Sequence, residues 1–262
     1  MPGVVSFRTT LVCLAAVVFD YRAAAPAGAA VVWRGDFETG DVSQWNELLN
    51  ATNTTPPRVT VVGSPVRAGA RAGRVEVRND NLWSNGLNRV ELGHHPAPAK
   101  FEGSDRYYAW SVLVPTDGTW DGREKQIAYW EADAIYRQVM SFVVSGADVR
   151  FVTRLPRDTV RWNGAGALTR GAWHDFVLHV RWSTDAGAGL VELWFDGRQV
   201  VEKTRVATML RDARGAPEAN FLHLGIFRGQ PPAPATTEVL YLDAAAEATA
   251  LGDVIGPPRG RP

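Results

Sequence analysis

Apolar and polar residues alternate with a period of two through most of this chain, and the alternation predicts strand after strand. A β-rich opening covers 31–37. Alternating runs follow at 58–66, 74–77, 89–92, 107–114, 126–130, 140–144, 149–152, 173–182, 191–195, 199–201, 222–227 and 239–242. Turn residues punctuate them: Gly69 and Gly73, the Ser145-Gly146-Ala147-Asp148 tetrapeptide, and Asp196-Gly197, a two-residue hairpin signal. No stretch carries a long helical period, and only 217–219 or 244–250 leaves room for a short helix. Many short strands without helix alternation predict an all-β fold, a jelly-roll β-sandwich of the concanavalin-like kind.

The same alternation sorts side chains onto faces. In Arg89-Val90-Glu91-Leu92 the arginine and glutamate share one side, and Val90 and Leu92 take the other. Period two groups Gln126, Ala128 and Trp130, and it groups His223, Gly225 and Phe227 against a dry set of Leu222, Leu224 and Ile226. If these three strands are neighbours, their polar faces form one groove bearing Arg89, Glu91, Gln126, Trp130 and His223. On a regular strand Tyr129 points away from Gln126. His174 falls in phase with Phe176, Leu178, Val180 and Trp182 and reads as a hydrogen-bonded core histidine; His179 faces the other way.

Composition narrows the partners. Basic and acidic residues balance at 28 each with no long run of one sign, which argues against nucleic acid or an anionic membrane as partner. The first thirty residues combine Arg8, an apolar run over 11–19 and an alanine-rich exit, and read as a secretory signal peptide cleaved after Ala29 or Ala30. The expected organisation is therefore a signal peptide over 1–30, one sandwich domain over 31–254 and a disordered Gly/Pro/Arg tail over 255–262, in a secreted monomer. Cys13 lies inside the leader, so the mature chain has no thiol chemistry and no cysteine metal site. The ten tryptophans and six tyrosines suit a sandwich core or sugar stacking equally.

The R-x-E-L strand at Arg89, the Q-I-x strand at Gln126 and the late G-I-F-R strand ending at Arg228 resemble the three-strand signature of the jelly-roll polysaccharide lyases, the group of alginate lyases, heparin lyase I and glucuronan lyase. The stretches 171–177, 191–197 and 241–243 resemble later strands of the same family, so the likeness runs from about residue 31 to 254. The resemblance implies a lyase acting on an acidic, uronate-containing polysaccharide. No cofactor is expected, with room for a structural calcium ion; the adjacent His94-His95 pair lacks the spaced partner a metal site needs, so no metal is assigned.

Such a lyase must neutralise the uronate carboxylate, remove the adjacent proton and protonate the departing oxygen. Arg89 and Gln126 match the family's neutralising positions, and Glu91 would orient Arg89. The family's customary histidine and tyrosine positions are Ala128 and Phe227 here. His223, four residues before Phe227, is then the candidate base, with the acid open among Tyr129, Tyr136 and the pair His94-His95. Trp130, His94, His95 and Arg228 join Glu91 as candidate substrate contacts. Two other readings stay open. Glu131 and Asp133 resemble part of the E-x-D-x-E strand of sandwich-fold glycoside hydrolases, although the third acidic position is Ile135. The missing histidine and tyrosine also fit a sandwich that binds carbohydrate without cleaving it.

Overall fold

A computed structural model describes residues 30–96, 102–232 and 234–254. The expected leader, apart from Ala30, and the expected tail lie outside them. In chain order the strands are β1 (Val31–Gly35), β2 (Glu47–Leu49), β3 (Val59–Val62), β4 (Ala72–Val77), β5 (Asn88–His94), β6 (Asp105–Leu113), β7 (Lys125–Ala132), β8 (Arg137–Ser145), β9 (Asp148–Thr153), β10 (Thr159–Gly164), β11 (Trp173–Arg181), β12 (Leu190–Phe195), β13 (Arg198–Arg205), β14 (Asn220–Gly229) and β15 (Glu238–Ala248). They form two antiparallel sheets. One runs β13-β12-β11-β6-β15-β4-β3, with β1 also paired to β15, and the other runs β10-β9-β8-β7-β14-β5-β2.

Alternation explains the packing. Inward residues of both sheets meet in one aromatic-rich core, where Trp110 stacks on Phe176 at 5.1 Å and meets Trp130 and Phe142 edge-on. His174 is buried with Nδ1 2.8 Å from Asp196 Oδ2, as its phase predicts. Asp196 and Gly197 both take positive φ, 49° and 76°, the pair of conformations that a tight turn between β12 and β13 requires.

Three departures from the sequence pattern matter. Residues 244–248 do not form a helix but extend β15, and a 3₁₀ turn follows only at Leu251–Asp253; the alanines pair with β1 and β6 as a ladder, which overrides their helical propensity. Strands β2 and β10 escape the pattern because each is a sheet edge with little apolar alternation. Third, β7 has one more residue than β8 between Gln126 and Ala128, and β14 has one more than β7 between Leu224 and Phe227. These bulges reset the phase of β7. Ile127 and Ala128 both go into the core, and Gln126 and Tyr129 come to one face.

Candidate active site

The three strands singled out by sequence are adjacent, with β14 in the middle. Arg89 lies opposite Phe227, which lies opposite Gln126; Glu91 faces Gly225; His223 faces Tyr129. Directly opposed residues project to the same side, so Arg89, Glu91, Gln126, Tyr129, Glu131, His223 and Phe227 share the outer face of the smaller sheet. A cleft of about 700 Å³ opens over them, lined by Arg89, Glu131, His223, Phe221 and Phe227, with Trp83, Glu47, Tyr136 and Arg137 among its walls.

The floor is a buried polar triad. Arg89 Nη1 donates to the Tyr129 hydroxyl at 3.3 Å, that hydroxyl donates to Glu91 Oε2 at 3.2 Å, and Arg89 Nε lies 3.3 Å from the same oxygen. Glu91 sits on β5 and Tyr129 on β7, so the carboxylate must cross β14 to reach its partner. Gly225 makes the crossing feasible. A Cβ there would lie 2.3 Å from the Val90 carbonyl oxygen and 3.1 Å from Glu91 Cγ, and its φ of +153° also suits glycine alone. Aromatic rings flank the guanidinium, whose carbon is 5.8 Å from the Trp83 ring centroid and 5.4 Å from that of Phe227.

Burial controls the charges. It pushes the Glu91 carboxyl up to about 7 against the opposing pull of Arg89, and it drives the Tyr129 phenol well above its ordinary value with help from Glu91. Glu131 likewise rises to about 7, chiefly by burial, with Arg89 pulling it down and Glu47 pushing it up. His223 moves the opposite way. Burial, Arg89 and His95 hold its imidazole well below the usual histidine range. Its ring stacks on Tyr129 at 4.4 Å and touches Phe221 at 4.5 Å. Both ring nitrogens are buried without a hydrogen-bond partner, and Nε2 stands 4.0 Å from Glu131 Oε1.

The remaining candidates divide. Tyr136 lies at the cleft rim, 72% exposed, in the turn between β7 and β8. His95 borders one end, with Nε2 2.9 Å from Glu47 Oε2 and its ring stacked on Phe221 at 3.9 Å. Gln126 keeps the outward phase, and its Oε1 is buried without a partner. Tyr129, expected to point away, faces the site because of the bulge. Trp130 does not line the groove; it is fully buried between the sheets against Tyr108 and Trp110. His94 also turns inward, in phase with Val90 and Leu92, where it stacks on Trp33 and meets Glu247 Oε2 at 3.1 Å. Arg228 contacts no part of the cleft lining: its guanidinium is spent on Asn88, Asn79, Thr236 and Glu238. Alternation along β14 already sets Arg228 with Leu222, Leu224 and Ile226 rather than with His223 and Phe227.

Sequence reasoning weighed Glu131 only for a hydrolase and did not single out Trp83, Glu47 or Arg137. The two-residue spacing of Tyr129 and Glu131 was the available signal. Asp133, its proposed hydrolase partner, sits beyond the end of β7 with Oδ1 3.6 Å from His95 Nδ1. Among the described residues no three or more His, Cys, Asp or Glu side chains converge as a metal site. No helix among them is long and apolar enough to cross a membrane.

The sequence model of a family described as polysaccharide lyase matches residues 37–246. No curated protein sequence matches the chain. Solved structures share the fold. An endo-β-1,4-glucuronan lyase from the fungus Trichoderma reesei superposes with a TM-score of 0.69 at 18% identity, covering 86% of this chain and 98% of that one. The alginate lyase vAL-1 from a Chlorella virus gives 0.57 at 15%, with 84% and 100% covered. The catalytic domain of a glycoside hydrolase family 131 protein from Coprinopsis cinerea gives 0.56 at 15%, with 86% and 99% covered.

Proposed function

The chain belongs to the polysaccharide lyase family, and on that premise we propose that it cleaves an acidic, uronate-containing polysaccharide by β-elimination in the cleft over β5, β14 and β7. The expected leader supports action outside the cell. Arg89 neutralises the uronate carboxylate, stabilising the carbanion-like charge that builds as the adjacent C–H is broken. Glu91 and Tyr129 fix the guanidinium from below, and Gln126 shares its face.

The observation that carries this reading is the pair His223 and Glu131, adjacent groups whose environments displace their proton affinities in opposite directions. Such divergence is how a site assigns an acid and a base. His223 stays neutral at neutral pH and neither ring nitrogen is committed to a hydrogen bond, so it accepts the C–H proton; Glu131 keeps its proton up to about pH 7 and gives it to the departing oxygen. Because both groups approach from one side of the sugar, the elimination is syn. The C–O bond breaks as the C=C bond forms, and no water is consumed. The hydrolase alternative has less support, since Asp133 lies off the strand, Glu91 is buried, and the Glu47 carboxylate on the cleft wall is engaged by His95 Nε2 at 2.9 Å.

The test is ultraviolet absorbance of the unsaturated uronate product, followed with alginate, glucuronan, heparin, hyaluronan and pectate. A rising signal is expected on one of them. His223→Ala should abolish it while the protein is still retarded in a gel containing that polymer, and Glu131→Gln should cut the rate by about 10²–10⁴. Unchanged turnover in His223→Ala removes the histidine from the reaction, and binding without any product on any polymer makes the protein a binding module.

A further inference from the structure

A second cleft, of about 530 Å³, opens on the opposite sheet and shares no lining residue with the first. Its floor is the outer face of β4 and β15, where Tyr241 lies directly opposite Arg74. Leu240 and Leu242 point into the core, so Tyr241 points out, half-buried. The same row continues through Leu113 on β6 to Trp173 on β11, a second half-buried aromatic, two strands away or about 9.5 Å. One wall is the 115–119 loop, and the other is the 235–237 segment.

Both walls are held in place without a ligand. Arg170 caps the first: its guanidinium donates to the carbonyl oxygens of Pro115, Thr116, Asp117 and Gly118 at 2.9–3.3 Å. Arg228 holds the second, donating from Nη1 to the carbonyl and hydroxyl oxygens of Thr236, whose own N–H donates to Asn79 Oδ1. Thr119 and Glu238 pair as a β-bridge that ties the walls together. A cleft ordered in advance loses little entropy when something enters it.

We propose that this cleft is a second saccharide-binding site, one that takes uncharged pyranose units of a polysaccharide chain. Tyr241 supplies a flat apolar platform with a polar tip, suited to the C–H face of a sugar ring. The exposed loop residues Asp117, Thr119 and Thr237 offer acceptors and hydroxyls around it. Charge separates neutral sugars from uronates here. The Arg74 guanidinium is drawn to Glu76 Oε2 at 2.8 Å, a carboxylate it shares with Arg78, and Asp117 at the rim repels a carboxylate. The first cleft, with Arg89 at its floor, has the reverse preference. The site would hold the enzyme on a neutral chain while the groove on the opposite sheet works on an acidic one.

The test is amide NMR of the full chain titrated with a neutral β-1,4-linked glucohexaose and, separately, with an oligouronate of equal length. Glucohexaose should shift amides of residues 117–119 and 237–241, in the wild type and equally in Arg89→Ala. Tyr241→Ala should weaken this binding by up to about tenfold, while Tyr241→Phe retains it. Asp117→Ala, on an exposed loop, is the control if Tyr241→Ala does not fold, and should weaken glucohexaose binding too. No shift in these segments, equal binding in Tyr241→Ala, or a response there to the oligouronate alone overturns the proposal. None of these outcomes depends on whether the first cleft is catalytic.

Discussion

Replacing Glu91 with glutamine should stabilise the protein at neutral pH and leave it almost unchanged in acid. Glu91 is buried, and burial raises its carboxyl from an ordinary 4.5 to about 7 despite Arg89 at 3.3 Å. Between those values the unfolded chain has lost this proton while the folded chain keeps it. The unfolded state therefore binds fewer protons, and stability falls as pH rises through the window. At roughly 1.4 kcal/mol per pH unit the loss attributable to Glu91 comes to about 3 kcal/mol by pH 7. Glutamine has nearly the same shape, can accept the Tyr129 hydrogen bond and has no proton to lose. Urea unfolding of both proteins at pH 4.5 and pH 7 measures the difference: the wild type should lose more stability than Glu91→Gln by about that amount. Equal losses in the two proteins would refute the reasoning and mean that Arg89 holds Glu91 ionised throughout. Ionisation of Glu91 also sets a competitor beside Arg89, so polymer retention should weaken above pH 7 in the wild type and less so in the variant.

Arg89→Ala should lower kcat/KM by about 10²–10³ and weaken polymer retention as well, because its contact with the carboxylate exists before and during the reaction; a change in KM alone would confine it to binding. Gly225→Ala should lower Tm and turnover together, since the methyl group meets the Val90 carbonyl oxygen at 2.3 Å and must push β5 off β14 or swing Glu91 away from Tyr129; overpacking of this kind costs about 1–3 kcal/mol, and a variant with unchanged Tm and rate would contradict it. Trp130→Ala should lose stability by about 3–5 kcal/mol as a core truncation, and retention of the polymer by whatever protein still folds would confirm that Trp130 is no part of the groove.

The sandwich was legible because alternation is a local signal: each of the thirteen stretches read as strands lies on a strand of the structure. The neighbourhood of Arg89, Gln126 and His223 was legible too, through the three motifs. Phase within β7 was not. A bulge depends on the partner strand's register, and nothing in Lys125-Gln126-Ile127-Ala128-Tyr129-Trp130 announces which residue is supernumerary; the regular alternation therefore exchanged Tyr129 for Trp130. Arg228 and His94 failed differently: strict alternation already put Arg228 with Leu222, Leu224 and Ile226 and His94 with Val90 and Leu92, and only their adjacency to the groove motifs suggested otherwise. The elevated carboxyls of Glu91 and Glu131 were invisible, since burial is a property of the assembled sheet.

The strand order has a consequence for how the molecule comes into being. Each sheet takes one of its middle strands from the last stretch of the described chain: β14 separates β7 from β5, and β15 separates β6 from β4. During synthesis the earlier strands emerge with open edges and no native neighbour on that side, and the ladder closes only when residues beyond 220 arrive. High contact order of this kind slows folding. A nascent chain halted before β14 would hold Arg89 and Tyr129 on strands that have no reason to meet, so the groove is completed only when β14 follows the two strands it joins rather than added to a finished scaffold.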